Sequence, residues 1–443
     1  MSHPQQVVND PSVPGFFDSN NDFPSEQLPV LPKEEFGPAD SRQCDRFHTS
    51  RASWPGKGNI PTVEIIAPVL THHHDVPDDS DSEMEDDMED SSDDEQETDR
   101  PRNHVQKTYA SYAYWLHREV KECIYGSVYT GQLLQFDSVN QAWICTEKQV
   151  AIKALRWETV NRYDSTSPER PLQEIAALQH LQTFIANQEG QDISSDTVTL
   201  PFEEVMDRIN FYTRNIEKYN VMTSLDILSD DTFLYVVMPF CDGGELFDLL
   251  LEKGQPYTAQ EARFLIRKIM NGVNTLHKAK VCHRDMSLEN IMLIKRNIPV
   301  IIDYGMCIGI PYTGNHRCLI KPAGNVGKPY YKSPEVVLNR DPFDGRAIDS
   351  FSLGPILHML VCGFQPWEEA MQTDEKFTYF SQGQFRPYLE HFANQGSAYA
   401  DKLLQDPDLV DLLQRMFLLN PRSRLSLYQV WMHPWMRGPE QAP

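Results

Sequence analysis

Residues 283–290 read His-Arg-Asp-Met-Ser-Leu-Glu-Asn, and Asp303-Tyr304-Gly305 begins thirteen residues after Asn290. Asp285 therefore stands five residues before Asn290 and eighteen before Asp303. The apolar run Val300-Ile301-Ile302 reads as a buried strand that carries Asp303 at its end. One carboxylate can hold a substrate hydroxyl. An amide and a second carboxylate can hold a hard cation such as Mg²⁺, so the set suits phosphoryl transfer from ATP.

Other elements must bring phosphates to these groups. Val150-Ala151-Ile152-Lys153 reads as a strand ending in a cation. Glu174 follows 21 residues later, on a helix predicted over 172–181 from the spacing of Leu172, Ile175, Leu178 and Leu181. A Lys153–Glu174 ion pair would fix the lysine for phosphate contact. Taken singly, each is as well read as a surface charge; their order and spacing join them. Upstream, Lys121-Glu122-Cys123-Ile124-Tyr125-Gly126-Ser127-Val128 keeps only the last glycine of a G-x-G-x-x-G-x-V loop. Side chains at 121 and 123 predict a stiffer loop and weaker nucleotide binding. Strands are expected at 125–134, 149–155 and 234–238, and mostly helices after Gly244. Strands first and helices later imply an α+β chain.

The 443 residues carry a formal charge of −24, and residues 75–99 supply fifteen Asp and Glu with no Lys or Arg. An acidic chain gives no reason to expect nucleic acid or an anionic membrane as partner. The eight cysteines include no Cys-x-x-Cys pair, so neither zinc nor a disulfide framework is indicated. No signal peptide and no apolar run near 18 residues is present, which predicts an intracellular protein, cytoplasmic or nuclear. Residues 1–106 are rich in Pro, Ser, Asp, Asn and Gln and are expected to be disordered.

Val236-Val237-Met238-Pro239-Phe240-Cys241-Asp242-Gly243-Gly244-Glu245 could be a plain strand-to-helix turn. Together with the motifs above it resembles the hinge of the eukaryotic-type protein kinase family, serine/threonine kinases in particular. Tyr331-Lys332-Ser333-Pro334-Glu335 resembles the Ala-Pro-Glu end of the activation segment. Asp349 to Gly354 resembles the start of the central helix whose Asp braces the catalytic loop. Arg424 resembles the late Arg that pairs with that glutamate, here Glu335. The resemblance spans roughly 108–437.

It implies a bilobal fold, a small β-rich N-lobe with one key helix and a larger helical C-lobe. The kinase domain would run 107–437, with N-lobe 107–238, hinge 239–243, C-lobe 244–437 and an insertion near 183–219. It implies ATP and Mg²⁺ as cofactors and protein Ser/Thr hydroxyls as acceptors. Asp285 would be the catalytic base, and Asn290 and Asp303 the metal ligands. Val120, Gly126, Val128, Ala151, Lys153, Met238, Pro239, Cys241, Glu245 and Met292 would surround the nucleotide. A pseudokinase scaffold, a tyrosine or dual-specificity kinase and a small-molecule phosphotransferase stay open as alternatives.

The chain departs from the family at two linked positions. Ser287 stands where a catalytic-loop lysine is usual, and Lys328 stands where a hydroxyl residue is usual. The two residues look exchanged, with Lys328 supplying the charge for the γ-phosphate and Ser287 a hydrogen bond. Thr313, Tyr312, Tyr330 and Tyr331 are the only hydroxyls between Gly305 and Lys332, so activity without loop phosphorylation is expected. Within the insertion, Phe202, Val205, Met206, Ile209 and Tyr212 lie at helical spacing. That helix could dock a partner or simply pack on the small lobe.

Overall fold

The computed structural model describes residues 30–33, 49–54, 63–70, 108–163, 169–191 and 200–443. An antiparallel sheet carries Lys153 and its neighbours. Along its main path run β1 (Thr49–Trp54), β2 (Val63–Leu70), β3 (Tyr112–Cys123), β4 (Gly126–Asp137), β5 (Ala142–Arg156), β6 (Asp226–Ser229) and β7 (Phe233–Pro239), in the order β1-β2-β3-β4-β5-β7-β6, and the short strand Thr108–Tyr109 pairs with β2 off this path. Lys153 on β5 pairs with Val128 on β4 and Val236 on β7, and Ala151 pairs with Met238.

The sheet includes two strands from the region expected to be disordered. β2 pairs with β3 through Glu64↔Leu116, Ile65↔Trp115 and Ile66↔Tyr114. Ile65, Ile66 and Ala67 are buried. The apolar run Val63–Leu70 is a good strand hidden inside polar flanks, and its buried residues cluster with those of β3 and β4. The acidic run 75–99 lies outside the described residues.

Four helices frame the site. They are α1 (Trp157–Tyr163), α2 (Pro171–Gln188), α3 (Phe202–Tyr219) and α4 (Leu246–Lys253). α2 covers and extends the predicted 172–181 helix. It has no side-chain N-cap, but Pro171 stands in its first turn, where a missing N–H costs little. Its buried face holds Glu174, Ile175, Leu178, Leu181 and Ile185. α3 is the insertion helix. Val205, Ile209 and Tyr212 are buried in one cluster with Tyr112, Leu228, Tyr235 and Val237 of the sheet. The apolar face considered for a docking partner is therefore spent on the chain's own core.

The helical part follows. α5 (Ala259–Lys278) starts on a capping box of Thr258 and Glu261. The short strands Ile291–Ile294 and Ile298–Ile301 pair antiparallel beneath the catalytic loop. After α6 (Pro334–Leu338), α7 (Gly345–Cys362) runs buried on nearly every side, which suits its run of apolar and small residues. Among the described residues no helix is long and apolar enough to cross a membrane.

Candidate active site

Lys153 Nζ lies 2.5 Å from Glu174 Oε2, with both side chains largely buried. Burial alone would discharge the lysine. The carboxylates of Glu174 and Asp303 outweigh it and hold the lysine pKa above its usual value. Burial likewise pushes Asp303 up, but Lys153 and the Gly305 N–H outweigh it, so the carboxyl sits below the usual range. Asp303 is thus an anion beside a fixed cation. Its backbone is left-handed at φ 63°. Tyr304, where the family usually has Phe, is fully buried; its hydroxyl lies 2.9 Å from Ile301 O and accepts from Met222 N at 3.1 Å.

The catalytic loop folds tightly on itself. Asn290 Nδ2 donates to Asp285 O and to Asp285 Oδ2, both at 2.8 Å. The whole loop hangs on Asp349. Its carboxylate takes the His283 N–H at 2.9 Å, the Arg284 N–H at 3.0 Å and the His277 ring at 3.0 Å. Arg284 has φ 67°, and its guanidinium donates to Ala323 O at 2.6 Å and Gly324 O at 3.3 Å. Both acceptors are backbone carbonyls of the segment that leads to Gly327. Glu335 and Arg424 meet in a two-pronged pair at 2.8 and 3.1 Å, with Arg424 also over the Phe351 ring.

The structure brings Ser287 and Lys328 together. Lys328 Nζ lies 2.8 Å from Ser287 Oγ, 3.4 Å from Asn290 Oδ1 and 3.6 Å from Asp285 Oδ2. Its backbone N–H donates to Asp285 Oδ1 at 3.1 Å. Gly327 makes this approach possible. It sits at φ 93°, and a Cβ there would lie 2.7 Å from Arg284 O.

Of the residues expected to surround a nucleotide, Ala151, Val128 and Met238 fall on neighbouring strands and Cys241 is buried, whereas Val120 is exposed. Met292 pairs with Glu245 in a short two-residue ladder. Glu245 is engaged by Lys121 at 2.7 Å, a mostly exposed ion pair. Gly126 is needed for strand pairing itself, since a Cβ there would lie 1.9 Å from Ala154 O. That explains why this glycine is present.

Sequence reasoning missed two residues. Tyr125 is buried at the tip of the β3–β4 hairpin, and its hydroxyl donates to Glu169 O at 2.7 Å. Glu169 packs against Gly305, where burial, then the nearby Asp303, raises its pKa. Tyr125 stands at the start of the strand expected over 125–134, but the structure puts it in the turn before that strand, which begins at Gly126.

The oxygens of Asp303 and Asn290 suit Mg²⁺, but two ligands are too few to hold it alone. Among the described residues no group of three His, Cys, Asp or Glu could hold a metal. The donor set therefore fits a cation that arrives with phosphate oxygens. The site thus combines an ion-paired lysine, a braced Asp-Asn loop and an ionised Asp at a left-handed turn.

Comparison with known proteins agrees. The family described as protein kinase domain matches residues 195–436, and the chain belongs to this family. Serine/threonine-protein kinase SAPK9 of Oryza sativa subsp. japonica is 30% identical over 224 residues, 50% of this chain and 57% of that protein. Serine/threonine-protein kinase SRK2E of Arabidopsis thaliana is 29% identical over the same shares. An abscisic acid-inducible protein kinase of Triticum aestivum is 30% identical over 50% of this chain and 62% of that protein. The chain spans about three fifths of the length of these curated relatives. Lys153 and Glu174 precede the matched stretch, so their assignment rests on their order in the chain and on the ion pair itself.

Proposed function

We propose that the protein transfers the γ-phosphoryl group of ATP to Ser or Thr hydroxyls of proteins. The carrying observation is the cluster of Lys328 Nζ with Ser287 Oγ and Asp285 Oδ2 at 2.8 and 3.6 Å. It supplies beside Asp285 the charge that Ser287 lacks, and it favours an active enzyme over a scaffold. The kinase unit is 107–437, with two lobes joined at 239–243 and β1 and β2 added to the small lobe.

Lys153 holds the α- and β-phosphates, fixed by Glu174. Asp303 and Asn290 would hold Mg²⁺, which when bound would neutralise negative charge on the phosphates. Asp285 orients the acceptor hydroxyl and receives its proton as oxygen attacks the γ-phosphorus and the bond to ADP breaks. Lys328 stabilises charge on the transferring group. The Glu335–Arg424 pair holds the segment that would receive a peptide, which favours a protein acceptor over a small molecule.

The test is labelling with γ-³²P-ATP and Mg²⁺, read by phosphoamino-acid analysis. Phosphoserine and phosphothreonine are expected; phosphotyrosine alone would overturn the specificity. A second expectation concerns the loop. Lys121→Gly with Cys123→Gly should tighten ATP binding by less than tenfold, because the exposed Lys121–Glu245 pair it removes contributes only about 0–1 kcal/mol. Calorimetric titration that finds equal or weaker affinity would sink the stiff-loop idea.

A further inference from the structure

Three elements carry the groups that must stay in register: the β3–β4 hairpin over the nucleotide, the start of α2 before Glu174, and the Asp303-Tyr304-Gly305 turn. One chain of hydrogen bonds joins them. Tyr125 OH donates to Glu169 O at 2.7 Å. The next residue, Arg170, donates its N–H to Gly305 O at 3.0 Å. The Tyr125 carbonyl also accepts from Arg156 N at 2.8 Å, tying the hairpin tip to the end of β5.

The hairpin turn is built around this residue. Cys123 pairs with Gly126, leaving Ile124 and Tyr125 as its two turn residues. Ile124 is 69% exposed and Tyr125 only 2%. Tyr125 belongs to the same buried core as Leu155, Val160, Ile175 and Leu178. A ring held on its apolar body with its hydroxyl on a backbone carbonyl fixes both distance and direction.

The geometry points to Tyr125 as a positioning residue for the phosphotransfer reaction proposed above. Its hydroxyl locks the hairpin tip to the start of α2, and through Arg170 to Gly305, so that Glu174 and Asp303 are set against Lys153. It also offsets the missing loop glycines, because the tip is fixed by a side chain instead of by close backbone approach to phosphate.

Tyr125→Phe keeps the ring and removes only the hydroxyl. The expected result is a fall in kcat of about tenfold, equivalent to about 1.4 kcal/mol, with the KM of an acceptor peptide unchanged. Hydrogen exchange without nucleotide should quicken in peptides covering 169–178 and 303–307, and stay at the wild-type rate in α5. Wild-type exchange at 169–178 would overturn the proposal. So would faster exchange throughout, α5 included, with kcat and KM impaired together, since that marks a merely structural loss. If the wild-type protein transfers no phosphate, the kinase reading fails, and the exchange experiment alone still decides whether Tyr125 locks α2.

Discussion

Lys328→Ala is expected to lower kcat about 10²–10³-fold, the usual effect of removing one donor aimed at developing charge. Nucleotide KM should change little, because Lys153 remains paired with Glu174. The substitution is clean on geometric grounds. The Lys328 backbone N–H that holds Asp285 Oδ1 at 3.1 Å survives in alanine, so Asp285 keeps its place and only the ammonium is lost. Ser287→Ala should cost less, since it removes one partner of Nζ and leaves Asn290 Oδ1 and Asp285 Oδ2 within reach. The exchange itself is tested by moving both groups at once. Ser287→Lys with Lys328→Thr should retain more activity than the two single losses predict, by the coupling of about 0.5–3 kcal/mol that touching residues show. Single-turnover rates are the measurement. A Lys328→Ala enzyme that turns over like wild type would mean that the lysine has no part in the chemistry.

How much of this could be read in the chain differs from residue to residue. Asp285, Asn290 and Asp303 were legible because they are local: a tight loop and a strand end fix their spacing within one stretch. Glu174 was legible because the helix period that buries Ile175 and Leu178 also fixes the direction of the glutamate. Lys328 could be reached only through the resemblance, since 41 residues of chain separate it from Ser287. Tyr125 and Glu169 could not be reached that way at all. Their link is one side-chain hydroxyl to one carbonyl across 44 residues, and no periodicity records it. β2 was missed for a different reason. Composition over 1–106 averages its eight residues with their polar surroundings, and a strand whose worth lies in a distant partner leaves little local trace. The insertion helix was found by its period, but the period alone could not say whether its apolar face meets the chain's own sheet or another protein.

Asp349→Asn should cost about 3–5 kcal/mol of folding free energy, the range found when one partner of a buried charged network is removed. The carboxylate is 1% exposed and takes the His283 and Arg284 N–H groups on different oxygens. An asparagine can present its oxygen to only one of them, and its NH₂ then faces the other donor. Against a typical stability of about 5–15 kcal/mol this is a large fraction, visible as a lower urea midpoint. Activity should fall as well, even at temperatures where the variant stays folded. Arg284 holds a left-handed backbone at φ 67° that only its surroundings maintain, and Asp285 is the next residue. A displacement of about 1 Å at such a group can cost about 10²-fold in rate. The pH dependence has a definite sign. Burial pushes Asp349 up, but the His277 bond and the neighbouring charges and N–H groups outweigh it, so the folded pKa lies below the usual carboxylate value. The stability it contributes is complete above the unfolded value near ~4 and is lost as pH falls through the lower folded value. The stability gap between wild type and Asp349→Asn should therefore be widest near neutrality and narrow only in acid. A gap that stays constant down to the acid limb would assign the loss to packing rather than to the carboxylate. A variant with the wild-type urea midpoint and wild-type kcat would show that Asp349 does not hold the catalytic loop.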